Sequence, residues 1–306
     1  MNKPAAKGLS QSEQGVALAV LAHLVWGGMA MYFGLIRHIS PIEIATQRAL
    51  WAIPIALAVV IWLGQLESVK TIFRSPRTVA ILLLTSALVA FNWALYVWSI
   101  QAGRTVDASL GYFMNPLLNV LMGFLFLGER FTWPQKVALA LATIAVAIQT
   151  VALGVFPWLG LSLAVTFCLY GFLRKTIAVG ATEGFLTEVL LLALPMLAAE
   201  AWLAARGQAH FGGTLRDSLM LIGCGIITAA SLMLYASSIR RIRYSTAGLL
   251  QYLSPSMVFL TAVFVFHEPL NRWKLISFAI IWLALAIFSV SAFRDEWARR
   301  LAPEAV

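Results

Sequence analysis

Arg48 stands where an ionisable side chain is hardest to keep. The run Gln47-Arg48-Ala49-Leu50-Trp51 lies inside a hydrophobic stretch of membrane length. A guanidinium stays protonated, and holding it in an apolar span costs roughly 2.5–3.5 kcal/mol on insertion scales. Such a residue faces a cavity, pairs with another charge, or snorkels to the headgroups. About seven residues into its helix, at 1.5 Å per residue, Arg48 sits about 10 Å below the outer face. Its chemistry would be pairing with an anionic substrate group or with an internal carboxylate.

Other polar residues share that depth. Asn92, Tyr96 and Ser99 fall on one helical face at i, i+4 and i+7, with Trp93 beside them. Tyr112, Asn115 and Asn119 share a face of the next helix. Gln251 and Ser254, with Tyr252 between them, occupy matching places near the other end of the chain. Trp26 is too deep for an interfacial belt. Singly, each of these can pack or hydrogen-bond helices. Together Trp26, Arg48, Asn92, Tyr96, Tyr112, Asn115, Gln251 and Tyr252 describe a binding cavity with aromatic walls.

Further charges have more than one reading. Glu43 completes a capping box in Ser40-Pro41-Ile42-Glu43, and could instead serve coupling or gating. Glu188 lies roughly 9 Å from the inner face, too far from Arg48 to partner it. It could couple protons, form an inner gate, or pair with a neighbour. His23 is more readily a packing histidine than a proton relay. Thr46 and Pro54 match Thr187 and Pro195, and Pro116 matches Pro255. Interior prolines free a carbonyl and bend a helix, for packing or as gating hinges.

The elements that position these residues are apolar helices. Of 306 residues, 61% are hydrophobic and 11% charged, against about 25% charged in soluble domains. Apolar runs near membrane length recur from end to end, and strand-length alternation is absent. Helices are expected over 15–36, 41–63, 78–100, 106–127, 133–153, 157–173, 182–204, 217–238, 245–266 and 272–293. Thr132-Trp133-Pro134-Gln135 and Asn271 carry start signals for the fifth and tenth.

The chain also repeats itself. Tyr96, Ser99, Ile100, Arg104, Ala108, Leu110, Pro116 and Glu129 return 139 residues later, without a gap, as Tyr235, Ser238, Ile239, Arg243, Ala247, Leu249, Pro255 and Glu268. With the N-terminus inside, 15 of the 22 Lys and Arg residues fall in cytoplasmic segments, six outside, and Arg48 within a span. That bias favours both termini inside. Five helices per copy is odd, so the second copy is inverted: the loop around Arg104 faces out, its partner around Arg243 faces in. The expected fold is all-α integral membrane, ten transmembrane helices as two inverted five-helix repeats. Residues 1–14 and 294–306 would be cytoplasmic tails flanking repeats at 15–153 and 157–293. Inverted repeats of this kind place a substrate site near the midplane, between the halves.

Several function classes are excluded. The net charge of +9 lacks the aromatic-interleaved basic runs of a nucleic-acid binder, and orientation explains it. Asp107, Asp217 and Asp295 are the only aspartates, and no carboxylate or histidine cluster has metal-ligand spacing. Cys168 and Cys224 lie in apolar spans and suit packing. No Ser/His/Asp arrangement, no mid-membrane lysine for a Schiff base and no Gly-x-x-x-x-Gly-Lys loop occurs. These absences count against a membrane enzyme, a retinal-type sensor and direct use of ATP. No cofactor is expected; the partners would be a small-molecule substrate, the bilayer and, under one energy source, protons.

The residues also carry a resemblance. Asn92-Trp93-Ala94-Leu95-Tyr96-Val97-Trp98, Ala108-Ser109-Leu110-Gly111-Tyr112-Phe113-Met114-Asn115-Pro116-Leu117 and Gly128-Glu129-Arg130 resemble the RarD branch of the EamA transporters, in the drug/metabolite transporter superfamily. Gln47-Arg48-Ala49-Leu50-Trp51, Tyr170-Gly171-Phe172-Leu173-Arg174-Lys175 and Leu250-Gln251-Tyr252-Leu253-Ser254-Pro255 extend it over roughly residues 15–293. The resemblance implies a multi-pass protein of the bacterial inner membrane that exports a small metabolite or drug-like molecule by alternating access. Two departures stand out: His267 replaces the branch's usual glycine, and Thr187-Glu188 shifts the usual glutamate context.

Overall fold

The computed structural model describes residues 11–127, 132–153, 156–239, 241–242 and 250–301. Their regular structure is entirely helical: α1 Gln11–Leu35, α2 Pro41–Trp62, α3 Leu66–Phe73, α4 Pro76–Gln101, α5 Thr105–Leu127, α6 Trp133–Leu153, α7 Trp158–Thr176, α8 Ala181–Ala205, α9 Leu215–Ile239, α10 Leu253–Leu260 and α11 Arg272–Leu301. A π-helical turn, Thr261–Val265, continues α10. Among the described residues, α1, α2, α4, α6, α8, α9 and α11 are long and apolar enough to cross a membrane, while Trp158–Arg174 and Leu253–Val265 are shorter apolar segments.

The helix starts follow local chemistry. Ser40 accepts a hydrogen bond from Ile42 N at 3.3 Å, and Ser75 accepts one from Thr78 N at 3.4 Å; each is followed by proline. Asn271 Oδ1 accepts from Lys274 N at 2.8 Å at the start of α11. Gln135 reaches back to Thr132 N at 2.9 Å. These bonds satisfy backbone N–H groups that a first turn leaves without partners. The capping box expected of Glu43 does not form. Its carboxylate is occupied elsewhere, as described below.

Three boundaries differ from the sequence reading. Helix α1 already begins at Gln11, and α11 runs on to Leu301, so both enter stretches read as tails. Helix α3 lies in a segment read as a loop. It buries Val69 and Ile72 against the bundle and pairs Lys70 with Glu67 at 2.6 Å on its exposed side. The start expected at residue 245 for the ninth span lies outside the described residues, as does Glu129.

Packing joins the two halves of the chain throughout. Helix α1 packs on α9 and α10, and α7 packs on α4 and α5. Helix α2 lies against α8 and α9, α8 against α4, and α6 against α11. Helices α5 and α7 approach closely where Gly111 and Gly160 bring the backbones into contact. Small residues allow such approaches where no hydrophobic effect drives helices together in lipid.

After α10, His267 adopts φ +52°. That left-handed conformation suits glycine, the residue that the family resemblance implies there. A non-glycine residue in that conformation is strained by roughly 1–2 kcal/mol. His267→Gly should therefore stabilise the protein by up to ~1 kcal/mol after the entropy that glycine adds to the unfolded chain. A lowered melting temperature in this variant would contradict the strain argument.

Candidate functional site

A cavity of about 80 Å³ lies where α1, α2, α4, α5, α7 and the start of α10 converge. The helical period explains who faces it. His23, Trp26 and Met29 come from one side of α1, Asn92 and Tyr96 from α4, Tyr112 and Asn115 from α5. Gln251, Ser254, Pro255 and Val258 follow the same spacing at the start of α10, while Arg48 and Phe167 complete the wall from α2 and α7.

Seven sequence-predicted residues thus meet: Trp26, Arg48, Asn92, Tyr96, Tyr112, Asn115 and Gln251. Tyr252 is not among the lining residues. Its ring stacks on Phe113 at 6.4 Å and 22°, within the apolar cluster that also holds Phe259 and Phe278. Gln251 and Tyr252 form a turn just before α10, and their side chains leave it in different directions. Met29 and Phe167 were not singled out, because an apolar side chain gives no sign of facing a cavity in a helix that is apolar all round. Trp93 had a signal, its place beside Asn92.

The polar walls are partly committed. Asn92 Nδ2 donates to Leu163 O and Thr166 Oγ1, both at 2.9 Å, and Asn92 Oδ1 accepts from Tyr112 OH at 3.0 Å. This side chain ties α4 to α5 and α7 and fixes the tyrosine. Ser254 Oγ donates to His23 O at 3.0 Å and lies 3.0 Å from His23 Nδ1. The hydroxyl has one proton, so it accepts from Nδ1–H and Nε2 is left as the free ring nitrogen. Both polar atoms of Asn115 are also without a partner, although the residue is buried. Trp26 packs edgewise on His23 at 5.2 Å, and Tyr96 on Tyr112 at 5.4 Å.

Arg48 is buried. Its Nε donates to Thr228 Oγ1 at 2.6 Å, its guanidinium lies 4.5 Å from the Trp93 ring centre, and Nη1 has no hydrogen-bond partner. The internal carboxylates are engaged elsewhere. Glu188 accepts from Thr85 Oγ1 at 2.7 Å and Tyr170 OH at 3.3 Å, and lies 3.5 Å from Arg174 Nε. It ties α4, α7 and α8 together and does not line the cavity. Glu43 reaches across to the loop between α8 and α9, accepting from His210 N at 2.6 Å and Phe211 N at 2.8 Å, with His210 Nδ1 at 2.9 Å.

That contact belongs to a set at one end of the bundle. Glu268 accepts from Thr105 N at 2.8 Å and Val106 N at 2.9 Å, so a carboxylate beyond α10 sits on the N-terminus of α5. Lys274 pairs with Asp107 at 2.8 Å, and His38 with Asp217 at 2.9 Å. Thr46 Oγ1 donates to Glu200 at 3.0 Å. Each of these contacts joins the first half of the chain to the second. Pro255 lines the cavity; Pro116 lies within α5, and its ring is outside the described side chains.

The EamA-like transporter family matches the sequence twice, over residues 13–151 and 157–290. An uncharacterized transporter of Vibrio cholerae is 41% identical over 95% of this chain and 97% of its own. Protein RarD of Escherichia coli is 37% identical over 94% of this chain and 97% of its own. Chloramphenicol-sensitive protein RarD of Pseudomonas aeruginosa is 32% identical, covering 90% and 93%. A solved structure described as "Crystal structure of protein" shares the fold, with a TM-score of 0.62 over 92% of this chain and 99% of its own, at 17% identity.

Proposed function

The chain belongs to the EamA-like transporter family, membrane transporters of the drug/metabolite type, and on that premise we propose that it exports a small molecule by alternating access. The single observation that carries this reading is the convergence of Trp26, Arg48, Asn92, Tyr96, Tyr112, Asn115 and Gln251 on one cavity between the halves. The substrate would be a small metabolite or drug-like molecule, the energy source a proton gradient or exchange, and the location the bacterial cytoplasmic membrane.

Two features support the inverted-repeat frame. Counted as spans, α5, α7 and the segment containing α10 would bring the seven long apolar helices to ten. Exchanging the halves turns the α1 contacts with α9 and α10 into the α7 contacts with α4 and α5, and the α2–α9 contact into α8–α4. Pseudo-twofold packing of this kind suits a bundle that rocks about a central site. The lysine and arginine bias orients it with both termini cytoplasmic.

In that frame the contacts of Glu43, Glu268, Asp107 and Asp217 would close the periplasmic side. Glu43 then acts as a gate residue rather than a cap. Opening that side requires these bonds to break together, while the cavity residues stay in place.

Transport through the cavity is testable in proteoliposomes. A thermal-shift screen against amino acids, nucleobases, sugars and chloramphenicol supplies a ligand, and counterflow of that ligand measures transport. Arg48→Ala and Asn115→Ala should each reduce counterflow at least ~10-fold, since each removes polar groups aimed into the cavity. Normal counterflow in both variants would reject the cavity as the transport path.

A further inference from the structure

We propose that the preferred substrate is a small organic anion, its carboxylate docked on Arg48 and its apolar body held by the cavity's aromatic rings; this rests on the transport reading above. Arg48 is 4% exposed, and its charge has no carboxylate partner among the described residues. Carboxylates elsewhere in the described bundle have partners of their own: Glu43 with His210, Glu188 with Arg174, Asp107 with Arg104 and Lys274, Asp217 with His38. The described cavity wall contains no aspartate or glutamate. A buried charge without compensation is costly, and a ligand that supplies the counter-charge recovers that cost.

The geometry selects a carboxylate. Thr228 occupies Nε, which leaves the edge made by the two terminal nitrogens. Nη1 has no partner, and Nη2 has only the Met29 sulfur at 3.8 Å, a weak acceptor. Two parallel N–H groups match the two oxygens of a carboxylate. The indole of Trp93 backs the guanidinium at 4.5 Å and Phe33 lies at 5.5 Å, so the fork is held in its plane. Asn115, 1% exposed with both polar atoms free, offers a further donor and acceptor. An organic cation would meet a like charge and no carboxylate. A neutral molecule would leave the guanidinium uncompensated.

The test compares matched charges on one skeleton. Full-length protein in detergent is melted with indole-3-acetate or phenylacetate as anions, tryptamine as cation and tryptophol as neutral control. The two acids should raise the melting temperature by a few degrees, and tryptamine and tryptophol should not. Arg48→Gln should weaken indole-3-acetate binding at least ~30-fold, with Arg48→Lys intermediate. Should Arg48→Gln fail to fold, Asn115→Leu, which keeps the charge, should still weaken binding of the acid. Equal or larger shifts with tryptamine or tryptophol, no shift with either acid, or undiminished binding in the variants would overturn the proposal. Flux separates the two readings. Arg48-dependent binding of indole-3-acetate without counterflow would leave the anion site standing and remove the transport reading. Counterflow of tryptophol at equal rates in wild type and Arg48→Gln would keep transport and overturn the anion site.

Discussion

Glu188→Leu should destabilise the protein by about 3–5 kcal/mol. The carboxylate is buried and serves three helices at once: Thr85 from α4, Tyr170 and Arg174 from α7, with Glu188 itself on α8. Ser86 adds a hydrogen bond to the Glu188 carbonyl at 3.2 Å. Removing the acid leaves a largely buried arginine without its counter-charge and the Tyr170 hydroxyl without its acceptor, while Thr85 keeps only the Leu82 carbonyl at 2.9 Å. Breaking one side of a buried pair is far more harmful than replacing both sides with apolar groups. The double variant Arg174→Leu/Glu188→Leu should therefore recover much of the loss, and a thermodynamic cycle over the four proteins measures the coupling. Additive effects in that cycle would show that the pair does not act as a unit.

Gly111→Val should prevent folding altogether. A Cβ on Gly111 would run into the carbonyl oxygen of Gly160 and lie 2.7 Å from its Cα. A Cβ on Gly160 would stand 3.0 Å from the carbonyl oxygen of Asp107. Backbone faces backbone, so no rotamer change relieves the clash, and α5 and α7 must separate. Overpacking alone costs about 1–3 kcal/mol where side chains can yield; here none can. Gly28 supplies the control, since a Cβ there meets nothing within 4 Å. Gly28→Ala should be neutral, or stabilising by up to ~1 kcal/mol from helix propensity alone. Folded Gly111→Val with an unchanged melting temperature would contradict the close approach of α5 and α7.

The positions of the seven long apolar helices and several helix starts were legible because they depend on local chemistry. Long apolar runs, and Ser-Pro or Asn at their starts, speak for themselves in sequence. Cavity residues were legible where they were polar: an arginine or asparagine in an apolar helix has few stable places to be. Apolar lining residues were not, because Met29 and Phe167 look the same facing a cavity, a neighbour or lipid. Tyr252 shows the other limit. Its polar tip suggested the cavity, but the turn before α10 places its ring against Phe113. Of the two readings of Glu43, the capping box failed because it rests on a short-range pattern, whereas its actual partners lie 167 and 168 residues away. Thr228, which anchors Arg48 from 180 residues along the chain, was invisible for the same reason.

The central claim is that the residues around Asn115 line a path open to one side of the membrane at a time. A single thiol at position 115 tests it, in a background where the buried Cys168 and Cys224 are replaced by serine. Its rate of labelling by a membrane-impermeant methanethiosulfonate is measured in right-side-out and inside-out vesicles. The account predicts fast labelling from one face only. Adding Glu268→Ala, which releases the N-terminus of α5, should raise labelling from the periplasmic face. Labelling at equal rates from both faces would describe an open channel, and no labelling from either would describe a packed core. Each result would contradict alternating access through this cavity.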